Sequence, residues 1–188
     1  LYFKHMDDRI KRTNDELKAD RPSLDEIVDI PRLPISVLVE NVRSVHNVGS
    51  IFRSADGFGA DMIYLTGYTP HPTHEDMHKT ALGAENAVPW EYYKNPLDAV
   101  KMIKKMSTVF VLIEQTKKSK SIYEIEWKFP LCFIIGNEVE GVSEELSEIS
   151  DIHAELPMRG IKQSLNVSVA VGVVGYEFAR YYSQYKKS

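Results

Sequence analysis

Short apolar runs alternate with helical patterns along most of the 188-residue chain. Five runs have the length and composition of β-strands: residues 35–39, 62–65, 108–113, 131–135 and 152–156. The first four are nearly continuously apolar, which is typical of parallel strands covered by helices on both faces. The fifth alternates, with His153 and Glu155 on one face, which indicates an edge or a functional rim of the sheet.

Helical periodicity is clearest after the first run and at the C-terminus. Four apolar residues fall at i, i+3, i+4 and i+7: Val48, Ile51, Phe52 and Ala55. They predict a helix that Asn47 caps and Gly57 ends. Residues 96–106 predict a second helix, and residues 165–185 a long one that is apolar on most sides and therefore buried or shared with a second subunit. The predicted fold class is α/β, with a mostly parallel sheet flanked by helices.

The chain divides into three predicted segments. Residues 1–6 have the sequence of a protease-site and cloning remnant, so the natural chain is expected to begin near Met6. Residues 7–34 are polar and carry a Ser-x-x-Glu capping box at residues 23–26, which predicts an N-terminal helical extension. Residues 35–188 form the main domain.

Composition limits the classes of function. The chain has 23 Lys and Arg residues against 27 Asp and Glu, a formal net charge of −4, which argues against binding nucleic acid through an overall positive field. Local basic clusters at residues 9–12, 101–105 and 117–120 could contact RNA, although each, taken alone, is more typical of a solvated helix or loop face. No run approaches the roughly 20 apolar residues of a membrane helix, and no secretory signal is visible. The only cysteine, Cys132, lies in an apolar run and is predicted to be buried, so we expect a cytoplasmic protein.

Three polar segments depart from what a sheet and its helices require. In the first, residues 41–53, Gly49 and Ser50 would let an anionic group approach the backbone of the helix start. Arg53 lies about 100° around the helix from Phe52, so its guanidinium can face a cleft. Taken alone, this segment favours an ordinary capped helix with a surface arginine.

The second segment, residues 134–143, follows a buried strand. Gly136 and Gly141 bracket Glu138 and Glu140 in a tight turn, at the usual ligand position of an open α/β sheet. The spacing matches neither the GxGxxG fingerprint nor a phosphate-binding P-loop. An acidic turn suits a cationic or hydroxyl-bearing ligand better than a pyrophosphate.

The third segment, residues 156–168, joins a strand to the last helix. Its loop presents Ser164, which can cap that helix, and Asn166, which is predicted to lie in the first helical turn. A short loop of this kind offers backbone donors and acceptors to the edges of an adenine ring.

Three histidines in a Pro-rich loop raise the question of a metal site. His71, His74 and His78 have Glu75 and Asp76 between them, but their spacing is not that of a zinc site and no cysteine accompanies them. We therefore predict a flexible loop over the cleft and no metal.

Taken in order, the three segments resemble the motifs of the SpoU/TrmH methyltransferases in the SPOUT superfamily. The matching stretches are residues 47–59, residues 136–143, and residues 156–160 with 164–170. Residues 79–84 are also similar to the family, and the resemblance covers residues 34–182.

The resemblance implies an RNA methyltransferase that moves a methyl group from S-adenosylmethionine to a ribose 2′-hydroxyl of tRNA or rRNA. It also implies a homodimer and a C-terminal deep trefoil knot. Arg53 matches the arginine proposed to activate the hydroxyl. The other matching catalytic positions are Asn47, Glu138, Ser164 and Asn166. The matching cofactor positions are Gln115, Thr116, Gly136, Leu156, Met158, Ser164 and Leu165.

Two other functions remain open at this point. A non-catalytic RNA- or cofactor-binding module could keep the same fold. A nucleotide-binding oxidoreductase would need the glycine fingerprint that this chain lacks. The sequence does not identify the target RNA or nucleotide.

Overall fold

A computed structural model describes residues 11–186, apart from the side chain of Tyr185. The predicted cloning remnant at residues 1–6 lies outside the described residues. The chain divides into two compact units, Leu1–Pro31 and Arg32–Ser188. In the smaller unit, α1 (Asn14–Ala19) and α2 (Leu24–Ile27) each begin with a capping box, and neither helix buries a residue. The box predicted at residues 23–26 is present: the Ser23 side chain accepts from the Glu26 N–H, and the Glu26 carboxylate accepts from the Ser23 N–H.

The described part of the larger unit has seven strands and six helices. In chain order they are β1 (Leu33–Glu40), α3 (Val45–Phe58), β2 (Ala60–Thr66), α4 (Met77–Ala81), α5 (Ala84–Ala87), β3 (Trp90–Tyr93), α6 (Pro96–Lys104), β4 (Val109–Ile113), β5 (Lys120–Ser121), β6 (Leu131–Ile135), α7 (Glu144–Ile149), β7 (Ile152–Glu155) and α8 (Val167–Tyr185).

The strands form one seven-stranded sheet in the order β3-β2-β1-β6-β4-β7-β5, and every pairing is parallel. All five predicted strands are present, and the α/β class with a parallel sheet is confirmed. β3 and β5 were not predicted, because four and two residues are too short to show a period. β7 is not an edge strand, since β5 pairs with its outer side.

Successive residues of the central strand β1 point into two separate cores. Val37 and Val39 face a core that includes residues of α3 and α8. Leu38, between them, faces a core that includes residues of α6 and α7. Helices therefore cover both faces, which explains why β1 is buried from Ile35 to its end.

The ends of α3 differ from the prediction. Ser44 caps the helix, with its side chain accepting from the Asn47 N–H at 3.2 Å, so Asn47 lies inside the first turn. The helix ends at Gly59, which adopts a left-handed conformation (φ 78°), and Gly57 is an interior residue. Both errors have one cause: two residues with suitable chemistry lie two or three positions apart, and local preference does not choose between them.

The start of α8 also differs. Asn166, rather than Ser164, is the cap, and its side chain accepts from the Ser168 N–H at 2.9 Å. The helix packs closely on α3, because a Cβ at Gly175 would lie less than 3.0 Å from the ring of Phe58. Within residues 11–186, no helix combines the length and the apolarity that crossing a bilayer demands.

Candidate active site

A cavity of about 550 Å³ opens at the carboxyl ends of β4, β6 and β7, the position where open α/β sheets usually bind ligands. Its volume lies within the range of small-molecule sites. It is lined by Ile113, Glu114, Gln115, Ile135, Gly136, Asn137, Glu138, Val139, Gly141, Glu155, Leu156, Met158, Gln163, Ser164, Leu165, Asn166, Val167 and Ala170. We call it the strand-end cavity.

The turn after β6 is held by paired backbone bonds. The Asn137 N–H donates to the Gly141 carbonyl, and the Gly141 N–H donates to the Asn137 carbonyl, each at 3.0 Å. The buried Asn137 side chain accepts from the N–H groups of Val139 (2.8 Å) and Glu140 (3.0 Å). The turn is therefore fixed before any ligand arrives.

Glycine is required at two positions of this turn, for a different conformational reason at each. A Cβ at Gly136 would lie 2.5 Å from the Val142 nitrogen, so the two backbones approach too closely for any side chain. Gly141 has φ 73°, a left-handed conformation that favours glycine. Sequence reasoning singled out this pair, and the structure explains it.

A buried carboxylate secures the far end of the turn. Glu40, the last residue of β1, is 2% exposed, and its carboxylate accepts from the Ser143 N–H at 2.7 Å. Sequence reasoning missed Glu40, because a single acidic residue at a strand end has no distinctive spacing.

The three polar segments meet beside the cavity. Nδ2 of Asn47 donates to Oε1 of Glu138 at 2.7 Å, and Nδ2 of Asn166 donates to Oδ1 of Asn47 at 3.1 Å. Because Ser44 caps α3, the Asn47 side chain is free for these contacts. Glu138 and Asn166 also line the cavity.

Most of the other predicted site residues line the strand-end cavity, whereas Thr116 and Arg53 do not. Gln115, Gly136, Leu156, Met158, Ser164 and Leu165 line the cavity. Thr116 does not; its hydroxyl bonds to Ser119 and to Nδ1 of His153, both at 3.0 Å. Gln115 donates to the Gln163 carbonyl and so links the β4 end to the loop before α8.

Arg53 lies in a different place. It lines a second cavity of about 450 Å³ between α3 and α8, together with Ser50, Ser54, Ser168, Val169, Gly172 and Tyr176. Arg53 is exposed there and is absent from the lining of the strand-end cavity. We call this the helix-pair cavity.

The charge of the strand-end cavity is distinctive. Glu114, Glu138 and Glu155 line it, and no lysine or arginine is present among its described lining residues. Such a lining suits a cationic ligand and disfavours a pyrophosphate. Glu155, which the sequence placed on an edge or functional rim of the sheet, ends β7 and lines the cavity, whereas Glu114 follows β4 outside any recognised motif and was not predicted.

The histidine loop is organised by aromatic contact and a buried carboxylate. His71 stacks on Trp90 with 6.0 Å between ring centroids, and His78 bonds to Glu85, which is 4% exposed. In the described part of the chain, no group of three His, Cys, Asp or Glu side chains is arranged to hold a metal ion.

The fold and the cavity define a class: α/β proteins that bind a small ligand across the carboxyl ends of a parallel sheet, here with an acidic lining and a rigid glycine turn. Comparison with known proteins narrows this class. The chain belongs to the SpoU rRNA Methylase family, whose model matches residues 34–176. The resemblance inferred from the three motifs is therefore confirmed.

Individual relatives agree with this assignment. The chain is 32% identical over 158 residues to a tRNA (guanosine(18)-2′-O)-methyltransferase of Aquifex aeolicus, covering 84% of this chain and 74% of the relative. It is 28% identical to a 23S rRNA (guanosine-2′-O-)-methyltransferase of Haemophilus influenzae, covering 91% and 70%.

Solved structures show the same fold. The TrmH/SpoU tRNA modifying enzyme of A. aeolicus superposes with a TM-score of 0.77 at 29% identity, covering 92% of this chain and 85% of that one. An rRNA methyltransferase from Sinorhizobium meliloti, solved with AdoMet bound, has a TM-score of 0.72 at 28% identity, covering 83% and 60%.

Proposed function

We propose that this protein transfers a methyl group from S-adenosylmethionine to a ribose 2′-hydroxyl in tRNA or rRNA. The observation that carries the proposal is the hydrogen-bonded trio of Asn47, Glu138 and Asn166, which joins the three family motifs beside an acidic cavity. The family match and the relatives named for guanosine 2′-O-methylation support it.

The strand-end cavity fits S-adenosylmethionine on three grounds. Its volume is that of a small-molecule site, its described lining has carboxylates and no basic side chain, and Gly136 brings backbone groups close to the space. The residues that would hold the cofactor are the turn at Gly136, the loop at Leu156 and Met158, and the segment at Ser164 and Leu165. When bound, the sulfonium supplies an electrophilic methyl group.

The chain's own residues then have to orient the substrate and stabilise charge. Fixing the reacting groups in line supplies about 7–11 kcal/mol in well-oriented systems. Arg53 is a poor base, because a guanidinium remains protonated in proteins. We assign it to binding the neighbouring phosphate and stabilising negative charge on the hydroxyl oxygen.

The position of Arg53 leads to a second part of the proposal, a homodimer. Arg53 lines the helix-pair cavity with Val169 and Tyr176 of α8. Three apolar residues of this helix are exposed: Val169 (51%), Val173 (38%) and Tyr176 (56%). These residues follow each other at helical spacing and form one open face. We propose that a second copy covers this face and completes the cleft around Arg53.

Two further features belong to the proposal. The C-terminal trefoil knot rests on family membership and on the position of β6 between β1 and β4. A cytoplasmic location rests on the proposed RNA substrates.

Two measurements test the activity. Calorimetry with S-adenosylmethionine should give 1:1 binding per chain, and Gly136 variants should lose it. Mapping of 2′-O-methyl groups in RNA from cells lacking the protein should reveal one missing site, which returns with the wild-type gene and not with Arg53→Ala. Cofactor binding without any missing methyl group would instead favour a non-catalytic cofactor-binding module. No cofactor binding, with or without RNA present, would exclude the methyltransferase and leave only a non-catalytic RNA-binding module.

A further inference from the structure

The carboxyl edge of the sheet has a second half that the proposed cofactor site does not use. The strand-end cavity lies over β6, β4 and β7, whereas β1, β2 and β3 end on the other side of β6. Because every strand is parallel, the segments after β1 and β2 emerge at the same edge as the cavity. Neighbouring strands lie about 4.8 Å apart, so these segments lie within about 10 Å of the β6 turn.

An aromatic ring and a guanidinium meet in this half. The Arg43 guanidinium carbon lies 5.7 Å from the centroid of the Tyr68 ring and over its face. Tyr68 is 50% exposed, and the Arg43 side chain is 68% exposed. Exposed aromatic residues with a planar cation are the usual surface on which unpaired nucleobases stack. We call this pair the Arg43–Tyr68 platform.

The platform is held in place by the turn that lines the cavity. Nδ2 of Asn137 donates both to the Tyr68 hydroxyl (2.9 Å) and to the Asn41 carbonyl (3.0 Å). The Tyr68 N–H donates to Oδ1 of Asn41 at 3.2 Å. One buried amide therefore sets the position of the ring relative to the β6 turn.

Among the described residues, Arg43 forms only a long ion pair with a carboxylate. Its nearest carboxylate is that of Glu140, at 3.9 Å, and both side chains are more than half exposed. Exposed ion pairs of this kind contribute little, so a phosphate or a base could take the place of Glu140.

We infer that the Arg43–Tyr68 platform stacks an unpaired nucleobase of the RNA substrate, close to the ribose that receives the methyl group from the cofactor in the strand-end cavity. The inference rests on the proposed function, because it assumes an RNA substrate. About 10 Å corresponds to about three stacked nucleotides, so the stacked base belongs to the target nucleotide or to a close neighbour. RNA recognition by stacking also explains how a chain of net charge −4 holds a polyanion.

The experiment tests the Tyr68 ring, the Tyr68 hydroxyl and the Arg43 charge with separate variants. RNA affinity is measured by fluorescence anisotropy with two fluorescein-labelled, unmodified transcripts, one of a tRNA and one of a 23S rRNA fragment. Tyr68→Leu removes the ring and should weaken binding roughly 5- to 150-fold, the range of one base–aromatic stack. Tyr68→Phe keeps the ring, loses the bonds of its hydroxyl with Asn137 and Arg43, and should stay within about threefold of wild type.

Two variants of Arg43 test its positive charge and its planar shape separately. Arg43→Gln should weaken binding and reduce the slope of log affinity against log salt by about one. Arg43→Lys should restore the salt slope without restoring full affinity, because an ammonium cannot stack as a planar guanidinium does.

Two control variants match the tested positions. Tyr123 is 63% exposed and follows β5, at the far end of the sheet, so Tyr123→Leu should leave RNA affinity unchanged. Lys128 is exposed and precedes β6, at the opposite edge of the sheet and outside the three basic clusters, so Lys128→Gln controls for the loss of any one charge.

The outcomes are distinct. Unchanged RNA affinity in Tyr68→Leu, or an equal loss in Tyr68→Phe or in the two controls, overturns the platform. A loss of S-adenosylmethionine affinity in Tyr68→Leu as large as the loss of RNA affinity also overturns it, because the ring would then act only by supporting the turn. If the wild-type protein binds the cofactor and methylates RNA, the proposed function stands even when the platform is overturned. If the wild-type protein does neither, the proposed function itself is wrong.

Discussion

The side-chain amide of Asn47 donates to Glu138 at 2.7 Å and accepts from Asn166 at 3.1 Å. The bond to Glu138 joins residues 91 positions apart in the sequence. An amide can do this because it carries both a donor and an acceptor. One side chain thus connects the start of α3, the turn after β6 and the cap of α8.

This relationship predicts the effect of removing the donor. Asn47→Asp places a second carboxylate against Glu138, so the two side chains repel each other and the trio separates. We expect methyl transfer to fall at least about tenfold, with S-adenosylmethionine affinity changed less than about threefold. Single-turnover kinetics and calorimetry measure the two quantities.

A double variant provides the control for that prediction. Glu138→Gln in the Asn47→Asp background removes the repulsion and supplies an N–H donor, so part of the lost activity should return. Strictly additive losses in the two variants would contradict the coupling of these side chains.

The close backbone approach at Gly136 gives a second prediction. Gly136→Ala forces the turn to open, since the new methyl group would meet the backbone of Gly141 and Val142. We expect a loss of stability of about 1–3 kcal/mol and at least tenfold weaker cofactor binding, measured by thermal unfolding and calorimetry. Gly160→Ala is the matched control, because nothing lies within 4 Å of its added Cβ. If the Gly136→Ala protein were as stable as wild type, the close backbone approach could not be the reason for glycine at this position.

The open face of α8 gives a third prediction. Val173→Glu places a charge in the centre of this face, so the proposed dimer should dissociate and methyl transfer should fall with it. Met102→Glu, at a residue of α6 that is 46% exposed, should remain dimeric. Sedimentation velocity measures the change, and a wild-type monomer at tens of micromolar would rule out the proposed interface.

A fourth prediction concerns stability against acid. Burial raises the pKa of Glu85, but hydrogen bonds from its own backbone N–H, from His78 and from Gly83 outweigh burial and hold the pKa below 4.5. A carboxyl group whose pKa is lowered on folding stabilises the protein above its unfolded pKa, about 4.3, and loses this contribution as the pH falls further.

Glu85→Gln should therefore lower Tm at pH 7, by about 2–4 °C for each kcal/mol lost, and the difference from wild type should narrow by pH 3.5. Glu75→Gln, at an exposed position in the segment before α4, should follow the wild-type profile. A constant difference at every pH would show that the charge of Glu85 does not stabilise the fold.

Patterns that repeat locally could be predicted from the sequence. The strands at residues 131–135 and 35–39 are continuous or nearly continuous apolar runs because helices cover both faces of the sheet. Burial of Cys132, which is 0% exposed, follows from the same run, and burial raises the pKa of its thiol. The turn at residues 136–141 could be predicted because two glycines beside two acids have no role in a helix or a strand.

Features decided by tertiary contact could not be predicted. Ser44 and Asn47 are both good caps, and only the distant Glu138 explains why Asn47 lies inside the helix. The same holds for Arg53, which faces the space between α3 and α8 because of how these helices pack. Glu40 and Glu114 carry no local signal, since their role depends on strands brought together by the sheet order.

The strand order β3-β2-β1-β6 has a consequence for how the protein folds during synthesis. β1 ends at Glu40, but its second neighbour begins only at Leu131. At translation rates of about 5–20 residues per second, the ribosome needs roughly 5–20 s to make the chain between them. For that time one edge of an apolar strand has no partner, which makes the nascent N-terminal half a substrate for chaperones and a site of aggregation.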